Sequence, residues 1–304
     1  MKILPKFTIL YEDTDLLVID KPAGIVVNRA DTNKEPTIQD WLETQLPVWA
    51  AEQPESNWRK LIPENFSVEF GTPEAIFQDR LGIAHRLDKD TSGALLVAKN
   101  PGALILLLQQ FRDRVIQKKY SCLVHGDFPV PTGEVSAPLG RARGDRTKFT
   151  VTADGRIALT KYEVKRHFVG MAGLVEPAKI GLGVKDPKMV EFENQFLKLP
   201  EKARKLLRSN KPTYDQGFSL VECQPKTGRT HQIRVHMTHI HHPIVGDWVY
   251  VGKKRSKLDL LWCPRQFLHA AELSFIQPRS NQRLNILAPL PEDLKLVLTR
   301  LIEA

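Results

Sequence analysis

The chain of 304 residues is 42% hydrophobic and 26% charged, the balance of a globular protein with a sizeable core, in one large domain with insertions or two small ones. Its formal net charge of +9 suits a polyanionic partner such as RNA. There is no basic low-complexity tail, so charge-driven binding has to come from the folded surface. The opening Met1 to Phe7 lacks the apolar core and cleavage site of a secretory signal, and no stretch is long and apolar enough to span a bilayer. Cys122, Cys223 and Cys263 are too widely spaced for a disulfide framework or a CxxC metal site, and they read as small core residues in a reducing cytoplasm.

In chain order, Phe7 to Tyr11 and Leu16 to Asp20 read as a hairpin across a polar Glu12-Asp13-Thr14-Asp15 turn, and Lys21-Pro22-Ala23-Gly24 ends the second strand. Residues 37–46 read as a short helix. From 47 to 79 the periodicity is lost among Pro, Asn, Glu and isolated aromatics, which reads as an irregular insertion. A charged block, His85 to Gly93, runs directly into an apolar strand, Ala94 to Ala98. Residues 103–114 form a helix with an apolar face, and 118–126 a strand stopped by Gly126. Strands are expected over 157–168 and 218–223. Between them, 171–215 is a second irregular stretch that carries a basic helix with Lys202, Arg204, Lys205 and Arg208. Residues 230–240 read as helix, 267–275 as strand and 292–303 as a closing amphipathic helix. Many strands with few, scattered helices argue for an α+β fold with a largely antiparallel sheet.

The block His85-Arg86-Leu87-Asp88-Lys89-Asp90-Thr91-Ser92-Gly93 is the most informative stretch. A carboxylate set against a core strand is costly unless a cation or a ligand meets it, so Asp88 needs a partner, a chemical task, or both. The block resembles the active-site motif of the RluA-type pseudouridine synthases. Three further stretches resemble that family's motifs in order: Lys118-Lys119-Tyr120, then Thr227 to His236 with His242 to Asp247, and Phe267-Leu268-His269-Ala270. Tyr11-Glu12-Asp13 with Val18 to Gly24 resembles the family's opening.

The resemblance implies a pseudouridine synthase fold, a mixed and mostly antiparallel central sheet with flanking helices and an active-site cleft. The chain is expected to be a single catalytic domain over 1–304 that departs from the family pattern in two respects: insertions near 47–79 and 171–215, and no separate amino-terminal RNA-binding module of the kind many members carry. The implied function is isomerisation of specific uridines in ribosomal or transfer RNA. Asp88 is then the nucleophile, Arg234 its paired cation, and Tyr120 an aromatic face for the uracil. A phenol is a poor base at its ordinary pKa near 10, so stacking is the plainer role for Tyr120. Arg86 takes the place of the flipped uridine in the RNA stem. His85, Thr91, Lys118, Arg229, Ile233 and Leu268 complete the substrate-binding set. No metal or nucleotide cofactor is needed for an isomerisation, and a monomer is expected.

Other readings of the same residues exist. Asp88 with Arg234 is also what a buried structural ion pair looks like. Asp90, two residues from Asp88, suggests a paired-carboxylate glycoside cleavage, although it also suits a turn. Clustered histidines at 231, 236, 239, 241 and 242 suggest zinc, but no cysteine or carboxylate lies at ligand spacing. His241 stands where the family commonly has glycine. The competing function is a non-catalytic RNA-binding or ribosome-assembly factor on the same fold.

Overall fold

The structure is a computed structural model that describes residues 6–31, 33–52, 54–145, 147–171, 174 and 187–304. Among these the strands are β1 (Thr8–Glu12), β2 (Leu16–Lys21), β3 (Ser92–Ala98), β4 (Gln117–His125), β5 (Thr132–Ser136), β6 (Leu139–Arg141), β7 (Phe149–Val151), β8 (Leu159–Met171), β9 (Phe218–Pro225), β10 (Leu268–Ile276), β11 (Arg283–Leu287) and β12 (Leu301–Glu303). The helices are α1 (Ile38–Glu52), α2 (Glu55–Arg59), α3 (Pro73–Arg80), α4 (Pro101–Arg112), α5 (Pro187–Leu197), α6 (Glu201–Ser209), α7 (Gln232–His239), α8 (Lys253–Asp259) and α9 (Glu292–Leu298). The chain divides into two compact units, residues 1–118 with 270–289, and 119–269 with 290–304. The fold is α+β, as expected.

In the first unit the strands lie in the order β1–β2–β3–β10–β11. β1 to β2, β2 to β3 and β10 to β11 are antiparallel. β3 is buried along its whole length, which is why Ala94 to Ala98 read as an unbroken apolar run without alternation. Its core joins Leu16, Val18, Leu96 and Phe275 to Leu104 and Leu107 of α4. Two helix starts show why these segments coil where they do. The side chain of Asn100 accepts a hydrogen bond from the Ala103 N–H at the head of α4, with Pro101 in the first turn. Thr72 does the same for Ala75 at the head of α3, followed by Pro73. A clamp on the buried Asp15 ties the β1–β2 turn to the turn after β10, where Arg279 Nε and Nη2 donate to Asp15 at 2.8 Å each.

The 47–79 segment is helical rather than irregular. α1 continues through Pro47 to Glu52, and α2 and α3 follow, with a short 3₁₀ turn over Val68–Phe70 between them. Pro47 and the block Ala75-Ile76-Phe77 hide the helical period from a sequence reading. The helices enclose an open cavity of about 580 Å³ lined by Trp49, Trp58, Phe77, Lys99 and Asn100.

In the second unit β4, β9, β8 and β12 are neighbours in that order, with β5 on β8 and a separate β6–β7 pair. Each of these pairings is antiparallel. The expected closing helix is cut short. α9 ends at Leu298, and Leu301 and Ile302 enter the sheet beside Met171 and Gly170 as β12. Residues 172, 173 and 175–186 of the second expected insertion lie outside the described residues. The described remainder folds as α5, α6 and a 3₁₀ turn at Lys211–Tyr214.

Candidate active site

In the first unit, α3 ends at Leu81, which takes the left-handed conformation and hands over to Gly82. Ile83 then bridges to Val97, and the motif loop runs beside the strand it will enter. The Thr91 N–H donates to the Asp88 carbonyl at 3.1 Å, which closes a turn with Lys89 and Asp90 at its tip. Asp90 is thus a turn residue. Asp88 is half-buried and Arg86 exposed, whereas Thr91 and Ser92 are buried.

The loop is held from the other side by the Lys-Pro-Ala-Gly turn. Lys21 is fully buried, and its ammonium donates to the carbonyls of Pro22, Ile25 and Lys89 at 2.8, 2.9 and 3.0 Å. The Gly24 N–H donates to the same Lys89 carbonyl at 2.9 Å. The residue next to Asp88 is therefore pinned twice by one turn. In sequence, Lys21 reads only as part of a strand breaker, although a lysine ending an apolar strand is the signal that points to an anchor. Gly93, opposite Lys21 in the β2–β3 register, has φ +115°. A Cβ there would lie 2.2 Å from the Ala270 carbonyl oxygen. Only glycine allows the loop to enter the sheet at this point.

His85 accepts a hydrogen bond from the Leu96 N–H at 3.0 Å through Nε2, so it is neutral with the proton on Nδ1. Burial, helped by nearby Lys118, pushes its pKa down to about 3. Its ring packs at 5.1 Å from that of Phe111, and the Lys118 ammonium sits 5.8 Å from the same ring. Burial lowers Lys118 in turn to about 8. The first unit thus holds His85, Arg86, Asp88, Thr91 and Lys118, with a lysine of lowered pKa beside an uncharged histidine.

In the second unit, Tyr120 is buried on β4, paired with Cys223 of β9. Ile233 and Leu268 are buried too. Arg234, only 5% exposed, sits on α7 and donates from Nε and Nη2 to Asp247 at 2.7 and 2.9 Å. Its guanidinium also lies 5.0 Å from the centre of the Tyr250 ring. The Tyr250 hydroxyl accepts from the Phe149 N–H and bonds His231 Nδ1 at 2.8 Å. Asp247 is fully buried, and its place at the end of a motif gives it no role in sequence. Its task is to hold Arg234.

The turn before α7 is organised by Gln232. Its Oε1 accepts from Thr227 and from the Arg229 N–H, while its Nε2 donates to the Leu159 carbonyl and Thr160. Arg229 Nε donates to the Ile157 carbonyl at 3.2 Å. The histidines serve separate contacts. His236 bonds Thr160 and the Ala137 carbonyl, and His242 bonds the His125 carbonyl and stacks on Phe128. Among the described residues no three His, Cys, Asp or Glu side chains converge as a metal site. His241 takes φ +66°, and the His242 N–H returns to the Met237 carbonyl. This is a left-handed helix stop in which histidine does glycine's work.

A family model described as RNA pseudouridylate synthase matches residues 15–239, a span that holds the motif loop, Tyr120 and Arg234. The chain belongs to the RNA pseudouridylate synthase family. An uncharacterised RNA pseudouridine synthase of Bacillus subtilis is 32% identical over 286 residues, 94% of this chain and 70% of that one. The ribosomal large subunit pseudouridine synthase D of Xanthomonas campestris pv. campestris is 32% identical over 303 residues, 97% of this chain and 69% of its own. In fold, the chain is similar to human RNA pseudouridylate synthase domain containing 1, with a TM-score of 0.60 and 22% identity over 100% of this chain and 92% of the other. This synthase is an RNA-modifying isomerase that converts uridine to pseudouridine. No helix among the described residues is long and apolar enough to cross a membrane.

Proposed function

We propose that this synthase isomerises specific uridines in structured ribosomal or transfer RNA, with Asp88 as the nucleophile. The observation that carries the reading is the double pinning of the Lys89 carbonyl by Lys21 and Gly24, together with the Asp88–Thr91 turn. A half-buried carboxylate on a fixed backbone supports the role of nucleophile, since it stays open to a substrate while its position is held.

In this reading the target uridine is flipped out, with Arg86 filling its place in the stem. Asp88 attacks and the glycosidic bond breaks. The uracil turns over against Tyr120, rejoins the ribose through C5 and loses the C5 proton. Arg234 is the cation for the reacting carboxylate, with Ile233 and Leu268 packing around the base. His85 and Thr91 shape the loop, and Lys118 and Arg229 meet phosphates. Residues 1–304 act as one catalytic domain, working as a monomer without metal or nucleotide cofactor. The exposed Lys202, Lys205 and Arg208 of α6 add RNA contacts from the second insertion, with Ala203 and Leu207 turned to the core. The reaction takes place in the reducing cytoplasm, which suits three cysteines too widely spaced in the chain for a disulfide framework.

The test is tritium release from 5-tritiated uridine in total RNA of a strain lacking this protein. We expect release by the wild type and none by Asp88→Asn. Equal release from both would remove Asp88 as nucleophile. Tight RNA binding with no release from either would favour the non-catalytic binding factor.

A further inference from the structure

Trp248 is 62% exposed, a large aromatic side chain left open to water where the described side chains of the other tryptophans are buried or half-buried. It stands directly beside Asp247, the fully buried partner of Arg234. Its backbone is not loose. The Tyr250 and Val251 N–H groups donate to the Asp247 carbonyl at 3.1 and 3.0 Å, and the Val249 N–H donates to Asp247 Oδ1 at 3.1 Å. An indole is thus held out to solvent on a rigid turn whose other side chains frame the Arg234 guanidinium. Free energy favours covering such a ring, and nothing in its own turn does so.

The helix that comes next in the chain names the occupant. Gly252, at φ +84°, turns the backbone into α8, Lys253–Asp259. Ser256, Leu258 and Asp259 face inward, and Asp259 bonds His125 at 2.8 Å and the Tyr214 hydroxyl at 3.0 Å, which fixes the helix. Lys253, Lys254 and Lys257 are exposed. Among the described residues none of the three has a carboxylate within ion-pair distance. A rigid aromatic face followed within ten residues by three unneutralised lysines is the combination that binds a nucleic-acid strand, base on ring and phosphate on ammonium. An apolar protein partner would be opposed by the same lysines.

We propose that Trp248 is a stacking platform for an unpaired nucleotide flanking the target uridine, with Lys253, Lys254 and Lys257 meeting the adjoining phosphates. Only the position beside the target uridine rests on the proposed catalysis; the strand-binding surface stands on its own geometry. The partner is an RNA strand, and Trp248 selects for an unpaired base without reading its identity.

The test uses a short fluorescein-labelled oligouridine with the full chain. Trp248→Ala should weaken binding by about tenfold or more, since stacking on one aromatic ring is typically of that size. Trp248→Phe should keep most of the affinity. Replacing the three lysines by alanine should lower the slope of log affinity against log salt by about 2. In the tritium assay, the Trp248→Ala loss should fall on KM rather than kcat. Unchanged oligouridine affinity in Trp248→Ala would overturn the proposal, as would an equal loss in Trp248→Phe. Faster sedimentation of the wild type than of Trp248→Ala, with RNA affinity equal, would assign the patch to a second copy of the chain. If the wild type released no tritium yet bound oligouridine through Trp248, the catalytic reading would fall and this one would stand.

Discussion

Replacing Asp247 by alanine tests whether the Arg234–Asp247 pair is the frame of the Arg234 site in the second unit. Asp247 is fully buried and Arg234 is 5% exposed, and two charge-assisted hydrogen bonds of 2.7 and 2.9 Å join them. Removing one member of a buried pair costs about 3–5 kcal/mol, because the remaining charge stays in a low-dielectric site. The lost Val249 N–H acceptor adds about 1 kcal/mol. Against a typical total of about 5–15 kcal/mol, that is about a quarter or more of the protein's stability. Asp247→Asn keeps an acceptor for Val249 and should cost less, about 2–4 kcal/mol. Urea unfolding followed by circular dichroism, at constant m-value, measures both. Arg234→Met removes the stranded charge, so the double variant with Asp247→Ala should be more stable than the sum of the single losses by at least about 2 kcal/mol. A loss below about 1 kcal/mol in Asp247→Ala, or additivity in the cycle, would refute the argument that this pair dominates the local energetics.

The Lys118 ammonium is lowered by burial to about 8 from 10.5, so the folded protein releases a proton that the unfolded chain still holds between those values. Stability should therefore rise as pH climbs from about 8 toward 10.5, and Lys118→Arg should abolish that rise. Over the same window RNA affinity of the wild type should fall more steeply than that of Lys118→Arg, up to about tenfold per pH unit, and parallel profiles would exclude Lys118 as a phosphate contact. Gly93→Ala combines a left-handed φ with a 2.2 Å approach to a backbone oxygen that cannot yield. It should cost about 3–5 kcal/mol and leave little folded protein, and a melting temperature within a few degrees of wild type would show that the loop enters β3 differently.

How much is legible in the chain depends on whether a residue's partners are local. The catalytic-family motifs, the exclusions from charge and cysteine count, the hairpin at the start and the apolar strand after the motif loop can all be read directly. They rest on side-chain chemistry in short windows, and β3 is apolar from Ala94 to Ala98 because both its faces are buried. The 47–79 helices escape a sequence reading since Pro47 interrupts α1 and the apolar residues of α3 are consecutive rather than spaced. The closing helix reads too long because Leu301 and Ile302 continue its apolar pattern, yet pairing with β8 draws them into a strand.

The partners of Lys21 and Asp247 belong to tertiary structure alone. Lys21 reaches a carbonyl 68 residues away, and Asp247 meets an arginine 13 residues before it across a turn. A sequence states which groups can donate, accept or carry charge, and in this chain it carries the family's motifs in order. Which of those groups lose water together is set only when distant segments pack. That loss of water turns a lysine into a loop anchor, a histidine into a neutral acceptor and an aspartate into the holder of an arginine.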